Sequence, residues 1–361
     1  MLDPTQALDA LIAGFADALL EKDDYFLQNM QTKNLAGDNI SHYQFWEWPQ
    51  GVGLFALALL WQHTNDPAML DFLVSFYDQR ISEGLPAKNI NTMAPLLALS
   101  IIAGEVPKGE YINTLREWAE WAMHELPRTD EGGFQHITSD TVNEGELWDD
   151  TLLMAVCPLA SIGVLLDEPT YVEEAIAQVR IHATYLADRK TGLWFHGYSS
   201  LEQSNFSEAL WARGNCWITI ALPYLMKIVD LAEADRALFK SLLVAQATAL
   251  QSLQHESGMW HTLLDDPTSY LEASATCGIA YGLLKAQDIG LLDQSFRETA
   301  YRPLAKILSL IDEKGTVSQV SYGTPMGRVS KDFYKEIPLV KMPYGTALAL
   351  LYISEVVHAT A

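Results

Sequence analysis

The chain has 361 residues, 49% of them hydrophobic, with 10 Trp, 15 Tyr and 12 Phe, which is ample material for a large core. Its formal net charge of −23 repels phosphates and excludes an ordinary nucleic-acid or anionic-membrane binder. The low charged fraction, 19%, excludes disorder, and there is no run of roughly 18 apolar residues to span a bilayer.

The N-terminal stretch MLDPTQALDALIAGFADALLEKDD lacks the basic region of a signal peptide and carries Asp3, Asp9 and Asp17. Leu8, Leu11, Ile12, Phe15 and Leu19 instead form one face of an amphipathic helix. Pro49 and Gly51 then mark the entrance to the Ala/Leu-rich run FWEWPQGVGLFALALLWQHT. Asp71 to Glu83 is amphipathic, and the polar link AKNINTMAP leads into PLLALSIIAG. A helix over Tyr111 to Leu126 precedes the loop TDEGGFQHITSD. Next comes EGELWDDTLLMAVCPLA, where Asp149 and Asp150 sit directly before an apolar run. Tyr171 to Asp188 is amphipathic, and the loop KTGLWFHGYSS leads into SEALWARGNCWITIALPYL. Ala232 to Gln254 is followed by ESGMWHTLLDDP and LEASATCGIAYGLLKA. Phe296 to Ile311 is followed by DEKGTVSQVSYGTP and PYGTALALLYISEVV.

This order is a repeat. An amphipathic helix, a loop bearing Gly and aromatics, and a helix rich in small and apolar residues recur. The second helix of each pair begins near Pro49, Thr92, Asp150, Arg213, Ser274 and Gly345, at intervals of roughly 43 to 71 residues. Six such pairs predict an all-α protein, a single (α/α)6 barrel over 1–361 with little strand. Small residues let the inner helices approach, and the outer helices are amphipathic because one face meets water. An open solenoid of helix pairs is the competing architecture. Cys157, Cys216 and Cys277 form neither a disulfide framework nor a zinc motif. All three fall in apolar runs, as buried thiols of a cytoplasmic protein do.

In such a ring the loops entering the inner helices share one end. That gathers Trp46, Trp48, Asn89, Asn91, His136, Asp150, His196, Trp211, Arg213 and Trp217 at one mouth. Each has a plainer role open to it. Trp46 and Trp48 either plug the barrel end or face a ligand. Asn89 and Asn91 are either turn caps or ligand contacts. His136 and His196 are either idle, mutually satisfied or functional, and His255 and His261 read as structural. An acid at a helix start, such as Asp149 or Asp150, is either a cap or a chemical group. Arg213, flanked by Trp211 and Trp217, needs an anion. The partner is either a structural carboxylate such as Asp149 or a substrate carboxylate gripped bidentately. No HExxH, P-loop, GxGxxG or GxSxG occurs, so neither a metal nor another cofactor is expected.

WEWPQGVGLFAL, NINTMAPLLAL, LWDDTLLMAVCPLA and LWARGNCWI together resemble glycoside hydrolase family 105, the unsaturated rhamnogalacturonyl hydrolases. The resemblance runs through nearly the whole chain. It implies an (α/α)6 barrel that removes the unsaturated uronic acid from the non-reducing end of rhamnogalacturonan fragments. The family's W-x-D-T-L pattern places the catalytic acid on Asp150, and its W-x-R-G-N-x-W segment matches Trp211, Arg213 and Trp217. The site implied is Asp150 with Asn91, His136, His196, Trp211, Arg213, Trp217 and Trp46 around a small unsaturated oligosaccharide. The related family 88 enzymes use a second Asp where this chain has Asn89 or Asn91. The implied chemistry is hydration of a vinyl ether by one carboxyl group, whose pKa apolar neighbours and Asp149 are expected to raise. An unsaturated glucuronyl hydrolase, a sugar epimerase and a non-catalytic glycan-binding repeat protein are the alternatives.

Overall fold

Helices start where a side chain meets their free N–H groups. Helix α1 (Pro4–Ala18) opens with Asp3 accepting from Gln6 N in a capping box. Helix α2 (Trp48–Thr64) opens with Glu47 accepting from Trp48 N and closes at Asn65 in the left-handed conformation. Helix α3 (Pro67–Glu83) opens on Asp66, which accepts from Ala68 N. The structure, a computed structural model, describes residues 2–20, 33–38 and 40–359.

The remaining pairs follow in order. Helix α4 is Pro95–Glu105 and α5 is Gly109–His124. Helix α6 is Cys157–Leu166, α7 is Pro169–Leu186, α8 is Ala212–Ile228 and α9 is Glu233–Leu253. Helix α10 is Ala273–Asp288, α11 is Ser295–Tyr301 and α12 is Pro343–Ala359. The even-numbered helices touch in a cycle, α2 to α4, α6, α8, α10, α12 and back to α2. That return closes the ring, as expected, and removes the open solenoid. Inner helices are buried nearly all round: in α10 only Lys285 and Asp288 are not buried. Outer helices bury one stripe, in α5 Tyr111, Leu115, Trp118, Ala119 and Ala122. Small residues permit this crowding. A Cβ on Gly282 of α10 would stand 2.4 Å from the Thr219 carbonyl oxygen of α8. Each fully buried Leu of the ring contributes about 1.5–3 kcal/mol.

Two elements depart from the periodicity. The helix expected over Phe296 to Ile311 breaks after Tyr301 and resumes at Leu304–Leu308, because Pro303 has no N–H to continue it. The inner helix expected to begin at Asp150 is preceded by a π-helical turn, Leu152–Val156, in which Cys157 N–H reaches back to Leu152 O. Pro158 follows, and such widened turns collect at functional sites.

Among the described residues strand is confined to three short antiparallel pairs. Strands β1 (Glu146–Trp148) and β2 (Gly197–Ser199) pair with Trp148 opposite Gly197. Strands β3 (Trp260–His261) and β4 (Leu271–Glu272) form the second pair. Strands β5 (Val320–Ser321) and β6 (Leu339–Val340) form the third. Only β1–β2 ties two neighbouring entrance loops together; β3–β4 lies within the loop before α10 and β5–β6 within the loop before α12. Among the described residues no helix is long and apolar enough to cross a membrane.

Candidate active site

The β1–β2 pairing sets the site. Directly after β1, Asp149 N–H donates to His196 O at 3.0 Å, which brings the fourth entrance loop against the third. The two adjacent acids then diverge. The Asp150 side chain is 19% exposed, while Asp149 is 0% exposed. Trp217 on α8 donates its indole N–H to Asp150 Oδ1 at 3.1 Å. His196 Nε2 stands 3.4 Å from Asp150 Oδ2. The other ring nitrogen, Nδ1, is 2.6 Å from Tyr334 Oη, and Gly327 N–H donates to that hydroxyl at 3.1 Å. The hydroxyl can therefore donate to Nδ1, which puts the ring hydrogen on Nε2, the nitrogen nearer Asp150.

Aromatic rings wall this group. His136 stacks on Trp148 with centroids 4.4 Å apart and binds Thr151 Oγ1 at 2.9 Å. His196 lies edge-on to Trp148 and against Trp211, at 5.1 and 4.3 Å. Trp48 meets Trp217 at 5.8 Å and Tyr344 at 4.5 Å.

Burial drives His136 down to about 3, so it is a neutral ring. Burial also pushes Asp150 up, but the His196 ring beside it outweighs this and holds it below the usual carboxylate range. The expected rise therefore falls on the neighbour. Burial, then the charge of Asp150, push Asp149 well above its ordinary value. Among the described residues neither Asp149 oxygen has a hydrogen-bond partner of ordinary geometry, and the nearby backbone N–H groups of Asp149 and Asp150 offset the rise only in part. Asp149, Asp150 and His196 also offer one donor atom each within 4.8 Å of one another.

Two expected contacts lie elsewhere. Trp46 is fully buried, donates to Thr92 O at 2.9 Å and packs on Tyr77 and Trp118. It belongs to the wall of the ring, because the first entrance loop turns it inward. Trp48, two positions on, faces the mouth.

Arg213 is buried, and its anion is Glu272 at 3.5 Å, not Asp149. Its Nη1 also donates to Ser274 Oγ, Ser321 O and Ser321 Oγ, and Nη2 donates to Tyr322 O and Thr324 Oγ1. The guanidinium is sandwiched by Trp211 and Tyr344 at 4.8 and 4.9 Å. Both terminal nitrogens are committed to the protein, so the expected grip on a substrate carboxylate gives way to holding the loop after β5.

Asn91 is half-buried beside Glu47, to which it hydrogen-bonds, and Asn89 caps the turn at Ile90. His255 and His261 are satisfied by Ser257 Oγ and Ser269 O within their own loop, as structural residues are.

Sequence reasoning missed Tyr334, Glu272 and Glu47. Glu47 accepts from Ser139 Oγ and Trp48 N, and burial raises it to about 7. The WEWP stretch contained the signal, an acid between two tryptophans. Tyr334 had none, being 138 positions from its partner. A cavity of about 710 Å³ opens at the opposite end of the ring, among Ser161, Tyr224, Lys285 and Glu355, remote from these groups.

The family described as Glycosyl Hydrolase Family 88 matches residues 22–360. The unsaturated rhamnogalacturonyl hydrolase YesR of Bacillus subtilis is 32% identical, over 86% of this chain and 89% of its own. A structure from Klebsiella pneumoniae, titled a possible member of family GH105, is 43% identical with a TM-score of 0.91 and covers 98% of this chain and 93% of its own. One from Salmonella enterica, titled likewise, is 42% identical with a TM-score of 0.90, covering 100% and 96%. Matched along almost its whole length by a glycosidase family and by the fold of its family 105 neighbours, the chain belongs to Glycosyl Hydrolase Family 88.

Proposed function

We propose that the protein removes the Δ4,5-unsaturated galacturonyl residue from the non-reducing end of rhamnogalacturonan oligosaccharides, the ring acting as one catalytic domain in the cytoplasm. The observation that carries this reading is Asp150, the half-shielded carboxyl group at the mouth, held by Trp217 and His196. The similarity to YesR supports the substrate class. The free, buried Cys157, Cys216 and Cys277 fit a reducing compartment.

An ordinary glycosidase places two carboxylates on opposite sides of the bond it breaks. Here the acids are adjacent, and Asp149 is sealed from any sugar. One working carboxyl suits a vinyl ether. Asp150 gives a proton to C4, and the C4=C5 electron pair forms the new C–H bond. Positive charge spreads over C5 and the ring oxygen. Water adds to C5 and returns a proton to the emptied carboxylate. The resulting hemiketal opens, and the aglycone leaves. Trp48, half-buried at the mouth, offers an apolar face for a sugar ring, and His136, neutral at working pH, offers a hydrogen bond without adding charge.

Elimination at C4 erases the stereocentre that distinguishes galacturonate from glucuronate. Choice between such substrates therefore rests on the attached sugar and its linkage. The test follows vinyl-ether absorbance with an unsaturated galacturonyl-rhamnose disaccharide. Decay with wild type and none with Asp150→Asn is expected. Absence of decay with wild type on galacturonyl and glucuronyl substrates alike overturns the reading.

A further inference from the structure

Asp149 is an acid for which the hydration scheme has no use, and it occupies the most guarded position in the site. Its carboxyl lies flat on α8 at Gly214: a Cβ there would stand 2.1 Å from Asp149 Oδ2 and 2.7 Å from Cγ and Oδ1. Only glycine leaves this space. Among the described residues neither oxygen has a side-chain donor or a hydrogen-bond partner of ordinary geometry, so an ionised Asp149 would be a buried charge with no cation beside it. Next to it, Asp150 accepts from Trp217 at Oδ1, and His196 Nε2 stands 3.4 Å from its Oδ2. The resting pair is therefore one carboxylic acid and one carboxylate, with the proton on the group that cannot touch substrate.

We propose that Asp149 stores the catalytic proton and passes it through Asp150. This rests on the reaction assigned above. In the forward step the Asp149 O–H bond breaks as Asp150 takes that proton and delivers one to C4 of the substrate. Both carboxyls are then anionic and adjacent. Like charges held this close resist coexistence, so the emptied pair is a far stronger base than one carboxylate. It draws a proton from the attacking water, the hydroxide equivalent bonds to C5, and the pair returns to one proton. No outside donor is required. The arrangement answers a difficulty of the single-acid scheme, since Asp150 alone is held anionic by its neighbours.

The experiment compares wild type, Asp149→Asn and Asp150→Asn on the unsaturated disaccharide across pH, with infrared spectra of wild type. The amide introduced by Asp149→Asn keeps the shape but carries no transferable proton. We expect kcat at neutral pH to fall about 10²-fold, the size of a general-acid contribution, with KM nearly unchanged and the optimum moved to acid. Wild type should show a carboxylic-acid stretch that persists above pH 8 and shifts in D2O. Glu47, which titrates at about 7, has ionised by then. Unchanged kcat and pH profile in a folded Asp149→Asn overturn the proposal while Asp150→Asn and wild type still uphold the reaction. Lack of the infrared band overturns it even where the variant does not fold. A tightly bound divalent cation whose removal abolishes activity also overturns it, because the cation would then occupy the proton's place. A wild type without turnover sinks the reaction and the proposal together.

Discussion

Tyr334 Oη reaches His196 Nδ1 at 2.6 Å across 138 positions of sequence, and so sets which way the histidine faces Asp150. Tyr334 is itself fully buried, and its hydroxyl takes the Gly327 N–H. Removing that hydroxyl leaves two buried polar groups unpaired, at about 1–3 kcal/mol each. Tyr334→Phe should lower stability in urea by a few kcal/mol and kcat by roughly tenfold, the loss expected from a misoriented Nε2–H. A variant with wild-type kcat would remove Tyr334 from the site's machinery.

Arg213 tests holding against gripping. Arg213→Ala leaves Glu272 buried without its cation, and breaking such a pair costs about 3–5 kcal/mol. Lysine cannot span Ser321, Tyr322 and Thr324 with one point charge, so Arg213→Lys should recover little stability. Urea unfolding measures both. A stable Arg213→Lys whose only defect is a raised KM would restore the direct contact with substrate.

Glu47 gives a pH dependence with a definite sign. Its folded pKa is raised from 4.5 to about 7, with burial as the main cause. The folded protein binds the extra proton, so this contribution is complete below the unfolded value of 4.5 and is lost as pH rises through about 7. Wild type should lose up to about 3 kcal/mol across that window from this group. Glu47→Gln should flatten the loss, as read from urea midpoints at pH 4, 6 and 8. Parallel pH curves for the two proteins would contradict the assignment.

Trp46 and Trp48 should separate cleanly. Trp46→Ala opens a cavity beside Tyr77 and Trp118 and should cost about 3–5 kcal/mol, with kcat and KM preserved in the folded fraction. Trp48→Ala should cost less stability, because Trp48 is only half-buried, and should raise KM severalfold by removing a ring at the mouth. Steady-state kinetics with thermal unfolding distinguishes the two, and a raised KM in Trp46→Ala would return that residue to the site.

The closed ring was legible because its causes are local. Periodic apolar faces, small residues on alternate helices and Gly-bearing loops recur along the chain, and each helix is recognisable without its neighbours. The starts expected near Pro49, Thr92, Asp150, Arg213, Ser274 and Gly345 all fall at or within a few residues of inner-helix entrances. The breaks at Pro303 and before Cys157 show where one proline or one widened turn overrides the periodicity.

Partners were not legible, because they depend on which loops meet. Arg213 announced its need for an anion, but Glu272, and not Asp149, lies beside it only once α8 packs on β4 and α10. The order Asp149–Asp150 says nothing of which acid carries the proton. That follows from Gly214 of a different helix seating one carboxyl where no side-chain donor meets it, while Trp217 and His196 stand beside the other. Sequence determined the ring, its mouth and the residue types gathered there, since periodicity and spacing act within a few turns of chain. Tertiary structure alone decided which of them are wall, brace and acid, since burial and hydrogen bonding are set by neighbours far away in sequence, as Tyr334 is from His196 and Tyr344 from Trp48.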